Sequence, residues 1–234
     1  MASPLIKRAL LLSQLLDHLY PNPPIPLDHT DSFTLLVAVV LSAQTTDGKV
    51  NAVTPELFRR APTCSELAKM PYDELLEIVR SVGLAPTKTK NLLGLANKLV
   101  SDFNGEVPGT FKELESLPGV GHKTASVVMS QAFGHLAFPV DTHIHRLAVR
   151  FGFSKEKSSV AEVEADLKAL FPQDSWHRLH LQLIYFGREY CQAKNHMPKR
   201  CPACSWVKKK TIPDRLEEIK LEPSPKKGRF SSVH

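Results

Sequence analysis

The sequence predicts an all-α protein. Apolar residues recur at helical spacing along most of the chain, helix-start signals stand at intervals, and no stretch alternates convincingly at period two. Ten helices are expected, near 5–19, 33–43, 47–60, 64–69, 72–81, 87–103, 111–116, 121–133, 142–151 and 159–193, the last broken near Pro172.

Each helix has a local reason. In the first, Leu5, Ala9, Leu12, Leu16 and Leu19 share one face. Pro21 to Pro26 holds four prolines and reads as a linker. The run Leu35 to Leu41 is long enough for a strand, but a helix buried on all sides explains it better. Thr54 before Pro55 looks like a cap with proline at the first helical position. Thr63 with Glu66, Thr110 with Glu113 and Ser159 with Glu162 each fit the capping box. Gly83, Gly105, Gly134 and Gly152 stand where helices stop. After Val207 the periodicity ends, and disorder is expected from 208 to 234.

Composition narrows the class. The 234 residues suit one generous domain or two small ones, with 42% hydrophobic residues to build a core. The net charge of +6 hints at a polyanionic partner, but the segment from Lys208 onward carries eight basic and four acidic residues, so the body is nearly balanced. No run is long enough to span a membrane. Ser13, Gln14, Asp17 and His18 interrupt the apolar stretch a signal peptide needs. Three of the four cysteines, Cys191, Cys201 and Cys204, fall within fourteen residues. That spacing suits metal ligation better than a disulfide framework and implies a reducing intracellular compartment.

The most informative segment is Leu117-Pro118-Gly119-Val120-Gly121-His122-Lys123-Thr124-Ala125. A short helix runs into two glycines flanking a valine, and a second helix follows with Ala125, Val128, Met129 and Ala132 on its apolar face. Such a turn approaches another surface closely, and the second helix's amides then point at a phosphate. Lys123 sits roughly 200° around the helix from Ala125, away from the apolar face. Downstream, Val140-Asp141-Thr142-His143-Ile144-His145-Arg146 opens another amphipathic helix, with Asp141 in the N-cap position.

Together these strings resemble the endonuclease III family of DNA glycosylases, over roughly Ala9 to Cys204. The resemblance implies a two-lobed helix-hairpin-helix glycosylase fold. A six-helix barrel-like domain would cover 25–136, and residues 1–24 would join 137–207 in a second helical domain, with Lys123 and Asp141 facing a common cleft. It assigns Lys123 as the amine nucleophile that expels the damaged base, forms a Schiff base and cuts the strand by elimination. The reaction needs a neutral amine, which a helix N-terminus and a partly desolvated pocket favour. Asp141 would stabilise positive charge on the sugar and help activate Lys123. Gly119, Val120, Gly121, His122 and Thr124 would lie on the DNA backbone. His143 and His145 would be structural or phosphate-contacting, and Lys88 and Lys90 are further phosphate candidates. Gln44 would fill the gap left by a flipped nucleotide, and Leu84 would wedge between bases.

The same resemblance implies a [4Fe–4S] cluster on four cysteines separated by six, two and five residues. Here nine residues separate Cys191 from Cys201, two separate Cys201 from Cys204, and Lys210 stands in the fourth place. Three states are open: a cluster with a substitute ligand, a zinc ion on Cys191, His196, Cys201 and Cys204, or no metal.

The expected function is a bifunctional glycosylase and AP lyase acting on oxidised pyrimidines in double-stranded DNA, as a monomer, in a reducing intracellular compartment: the cytoplasm or nucleoid if the source is a bacterium, the nucleus or a mitochondrion if its cells have a nucleus. The rivals are a monofunctional mismatch or damage glycosylase, whose adenine-specific relatives typically carry serine in place of Lys123, and a non-catalytic DNA-binding hairpin, which needs neither Lys123 nor Asp141.

Overall fold

The computed structural model describes residues 3–207, 209, 212–213, 215–219 and 221. Eleven α-helices and two short 3-10 turns make up its regular structure, with no strand among the described residues. Two compact units form, Ile25–Ala137 and the pair Met1–Pro24 with Phe138–His234.

The first unit holds α2 (Ser32–Ser42), α3 (Asp47–Arg60), α4 (Cys64–Lys69), α5 (Tyr72–Val79), α6 (Ala85–Asp102), α7 (Phe111–Glu115) and α8 (His122–Ala132). Helix α2 is its centre. Every residue from Phe33 to Leu41 is buried, against α3, α6 and α8, which is why its sequence shows no polar face. Truncating any of its central leucines to alanine costs about 2–5 kcal/mol. Asp31 caps this helix, its Oδ1 accepting from the Thr34 amide at 2.8 Å. The expected capping boxes form at Thr63 and Ser159; at Thr110 the hydroxyl caps the Glu113 amide, but the Glu113 carboxylate bonds the Thr110 hydroxyl instead of its amide.

The reading of Thr54-Pro55 as a helix start is corrected. Pro55 lies inside α3, and Thr54 is buried with a hydroxyl that caps nothing. An interior proline costs roughly 3 kcal/mol. Burial of Val50, Val53 and Leu57 on both sides of it keeps the helix continuous.

The second unit contains α1 (Pro4–Leu19), α9 (Thr142–Phe151), α10 (Val160–Leu170) and α11 (Trp176–Glu189). The turn at Gln173–Ser175 after Pro172 separates α10 from α11, as the sequence suggests. Leu12, Leu15 and Leu16 of α1 pack with Ile144, Leu147, Phe151 and Phe186. Tyr185 Oη donates to the Pro24 carbonyl at 2.9 Å and fixes the proline-rich segment.

Expected disorder after Val207 is narrowed. Ile212 and Ile219 are buried in this core, Leu216–Glu218 forms a 3-10 turn, and the Ile212 carbonyl accepts from Lys7 Nζ at 3.4 Å. Two isoleucines and a leucine give this stretch apolar surface to bury despite its lack of period. The basic tract Pro225 to Arg229 lies outside the described residues. Among those described, no helix is long and apolar enough to cross a membrane.

Candidate functional site

The hairpin joins α7 to α8. Gly119 has φ +79°, and a Cβ there would stand 2.9 Å from the Asn91 side chain on α6. Glycine is therefore required twice over, by conformation and by space. Val120 is buried, so the turn is anchored from beneath. Gly121 is the N-cap of α8, with open space around it and no side chain capping the helix. An uncapped helix start offers its first-turn amides to an anion. His122 stacks on Phe111 at 5.5 Å, and its Nδ1 lies 2.8 Å from Glu115 Oε1. Thr124 is half-buried at the start of the helix.

Gly119→Ala should lower stability by about 1–3 kcal/mol and weaken duplex DNA binding, read by denaturant unfolding and fluorescence anisotropy. Native values of both would show that the turn tolerates a side chain.

Lys123 is the second residue of α8 and is exposed. Among the described residues no carboxylate pairs with it, so its amine is not tied down.

In the second unit, Asp141 caps α9, its Oδ1 accepting from the Ile144 amide at 2.8 Å. The bond fixes the half-buried carboxylate at a helix N-terminus. The chain leading into Asp141 is held by His180, buried on α11, whose Nδ1 donates to the Pro139 carbonyl at 2.8 Å. Nothing in the sequence singles His180 out. His143 is half-buried, its Nδ1 accepting from Arg146 Nη2 at 3.1 Å. Burial pushes its pKa below the ordinary histidine range, so at neutral pH the ring is uncharged. His145 Nε2 donates to the Ser158 carbonyl at 2.8 Å, which is a structural role.

Gln44 and Leu84 share a feature hidden in the sequence. Gln44 follows α2 with φ +55°, and Leu84 begins α6 with φ +60°; both are exposed, Leu84 to 57%. The position after a helix C-cap ordinarily takes glycine, and an N-cap ordinarily takes Ser, Thr, Asp or Asn in an extended conformation. A glutamine and a leucine held left-handed in these places carry backbone strain, which gathers at functional positions.

Lys88 holds the two loops together. It is 3% exposed, and its Nζ donates to the Leu41 carbonyl and to Thr45 Oγ1, both at 2.7 Å. Thr45 Oγ1 in turn accepts from the Gly83 amide at 3.1 Å. The candidacy of Lys88 as a phosphate contact is therefore corrected, because its ammonium is spent inside the protein. Burial also pushes its pKa below the ordinary lysine range. Lys90 is exposed and keeps its candidacy.

Lys88→Met strands the Leu41 carbonyl and should cost about 1–3 kcal/mol. It should weaken DNA binding without altering the salt dependence, whereas loss of a phosphate contact lowers the slope of log affinity against log salt by about one. A slope lowered by one in a variant of native stability would return Lys88 to the phosphate contacts.

Past α11, the ligand atoms of Cys191, His196, Cys201 and Cys204 all lie within 4.8 Å of one another. Their donor types are compatible with an iron–sulfur or other metal site. Cys64 is elsewhere, its thiol donating to the Gly105 carbonyl. Arg146 Nη2 donates to the Cys191 carbonyl at 3.0 Å, and Arg150 Nη1 to the Gln192 carbonyl at 2.6 Å and the Cys191 sulfur at 3.4 Å. Hydrogen bonds from Cys201, Cys204 and Arg150 pull the Cys191 thiol down well below the usual range, making it the readiest thiolate of the three.

The sequence profile of the HhH-GPD superfamily of base excision DNA repair proteins matches residues 37–173. Endonuclease III of Bacillus subtilis (strain 168) is 42% identical over 187 residues, covering 80% of this chain and 85% of the relative. That of Synechocystis is 42% identical over 196 residues, covering 83% and 89%. Among solved structures, a trapped endonuclease III–DNA covalent intermediate has a TM-score of 0.81 at 41% identity, covering 87% of this chain and 94% of that one. A non-covalent endonuclease III–DNA complex has a TM-score of 0.82 at 40% identity, covering 88% and 95%.

Proposed function

The chain belongs to the HhH-GPD superfamily of base excision DNA repair proteins, and within it to the endonuclease III family; from that premise we infer that it is a bifunctional DNA glycosylase and AP lyase acting on oxidised pyrimidines in duplex DNA. The observation that carries the reading is Lys123, exposed and with no carboxylate partner among the described residues, at the start of an uncapped helix beside a tight glycine hairpin.

In this reading the DNA backbone docks on the hairpin. Gly119, Val120, Gly121, His122 and Thr124 line the turn, and the first-turn amides of α8 take a phosphate. Docking also covers the exposed Lys123 amine. Gln44 and Leu84, held rigidly by Lys88 and Thr45, enter the duplex beside an extruded nucleotide. His143, neutral and bonded to Arg146, supports the N-terminus of α9 and is a candidate DNA contact through its remaining ring nitrogen.

The chemistry follows. The neutral Lys123 amine forms a bond to the deoxyribose C1′, and the bond from C1′ to the base breaks, the base leaving with the electron pair and taking up a proton. The Asp141 carboxylate, fixed by its bond from the Ile144 amide, stabilises the positive charge that builds on the sugar. Opening of the sugar ring gives a Schiff base on Lys123. Loss of a C2′ proton then expels the 3′ phosphate and cuts the strand.

A single chain carries both Lys123 and Asp141, which supports action as a monomer. Its four free thiols fit a reducing compartment that contains DNA.

Borohydride trapping tests the assignment. Native protein mixed with duplex DNA bearing an oxidised pyrimidine should give a permanent protein–DNA adduct. Release of free base with no adduct would make the chain a monofunctional glycosylase, and DNA binding with neither would leave only a binding hairpin.

A further inference from the structure

Four properties of the cysteine set past α11 distinguish one bound ion from a cluster. The donors are three thiols and an imidazole. A [4Fe–4S] cluster takes one thiolate on each iron, and no further cysteine lies between Cys191 and Cys201 or after Cys204. Three cysteines with one histidine are a common tetrahedral zinc set.

The dimensions agree. Cys191 Sγ and Cys204 Sγ are 3.7 Å apart, and all four ligand atoms lie within 4.8 Å of one another. Thiolates bound to one zinc at ~2.3 Å in tetrahedral array stand about 3.8 Å apart. A cubane spreads its thiolates to roughly 6 Å, because each is bonded to a different iron. The set is too compact for that.

His196 adds a separate observation. Its Nε2 is buried with no hydrogen-bond partner among the described residues, an arrangement that folded proteins rarely leave uncompensated. Charge is the fourth property. A zinc dication with three thiolates and a neutral imidazole is a monoanion, and the Arg150 guanidinium lies 3.4 Å from Cys191 Sγ to offset it.

We propose that Cys191, His196, Cys201 and Cys204 bind a single tetrahedral zinc ion, in place of the iron–sulfur cluster that the family resemblance implies. The longer spacing between the first two cysteines then has a purpose, since it brings His196 among the three sulfurs.

The test uses the full chain, produced with iron and zinc both supplied and purified without oxygen. Zinc, iron and acid-labile sulfide are measured per chain. About one zinc is expected, with neither iron nor sulfide in stoichiometric amount. Exchange with cobalt should give the strong visible bands of tetrahedral thiolate coordination, and incubation with ferrous iron and sulfide should leave the zinc in place. Iron and sulfide at about four each, conversion to a cluster, or a folded chain with no metal would each overturn the proposal. His196→Gln, which spares every cysteine, should lose zinc to a chelator faster by more than the ~10-fold that even an outer-sphere partner contributes. His177→Gln should lose it at the native rate. Native zinc retention in His196→Gln removes the histidine from the ligand set.

Discussion

Lys123→Ala removes the borohydride-trapped adduct and lowers strand cutting by about 10³-fold or more, while duplex DNA still binds. The lysine is exposed and pairs with no carboxylate among the described residues, so the substitution breaks no contact that holds the fold. It also takes a cation away from the positive end of α8, where a positive charge is unfavourable. The variant should therefore be as stable as the native protein or more stable, by about 0.3–1 kcal/mol. Gel analysis of trapped complexes, strand scission and thermal unfolding give the three readouts. Persistent lyase activity in a folded Lys123→Ala protein would mean that another amine attacks the sugar. A variant that loses scission and also unfolds early would make Lys123 structural.

Asp141→Asn is expected to slow base release by about 10²–10³-fold, the range for removing one preorganised group that stabilises transition-state charge, with no change in stability. Asn caps helices about as well as Asp, so the bond to the Ile144 amide survives while the charge does not. Asp141→Ala loses both and should cost a further ~1 kcal/mol of stability. The pair separates two roles that one carboxylate holds together. Equal base-release rates in the native and Asn proteins, with only the Ala variant destabilised, would reduce Asp141 to a cap. Single-turnover rates of base release on the oxidised-pyrimidine duplex are the quantity to compare, because product release does not limit them.

The helices were legible because their signals are local. Thr63, Thr110 and Ser159 each announce a start with a glutamate three residues on, and each caps its helix, the full capping box forming at Thr63 and Ser159. Asp31 does the same for α2 less visibly, because its partner in the capping box is Thr34 and not a glutamate. Pro55 misleads for the opposite reason: the local rule is sound, but packing of Val50, Val53 and Leu57 overrides it. Lysine is ordinarily a surface residue, so sequence offers no means of seeing that Lys88 is buried between two loops. The same holds for His180, whose bond to Pro139 depends on residues forty-one positions apart meeting in space. Gln44 and Leu84 could be named only through family resemblance. Neither side chain encodes a left-handed backbone; the strain is imposed by the loops around them.

Helix α9 has a mechanical consequence. It begins at the Asp141 cap, and farther along it Arg146 and Arg150 grip the carbonyls of Cys191 and Gln192. A helix of ten residues is a stiff rod about 15 Å long. Ile144, Leu147, Ala148 and Phe151 bed that rod in the core of the second unit, so both of its ends are tied to one body. Loosening of the cysteine-bearing loop and loss of the Asp141 cap should therefore happen as one cooperative event. Base release and the fold of that unit should fade over the same range of temperature.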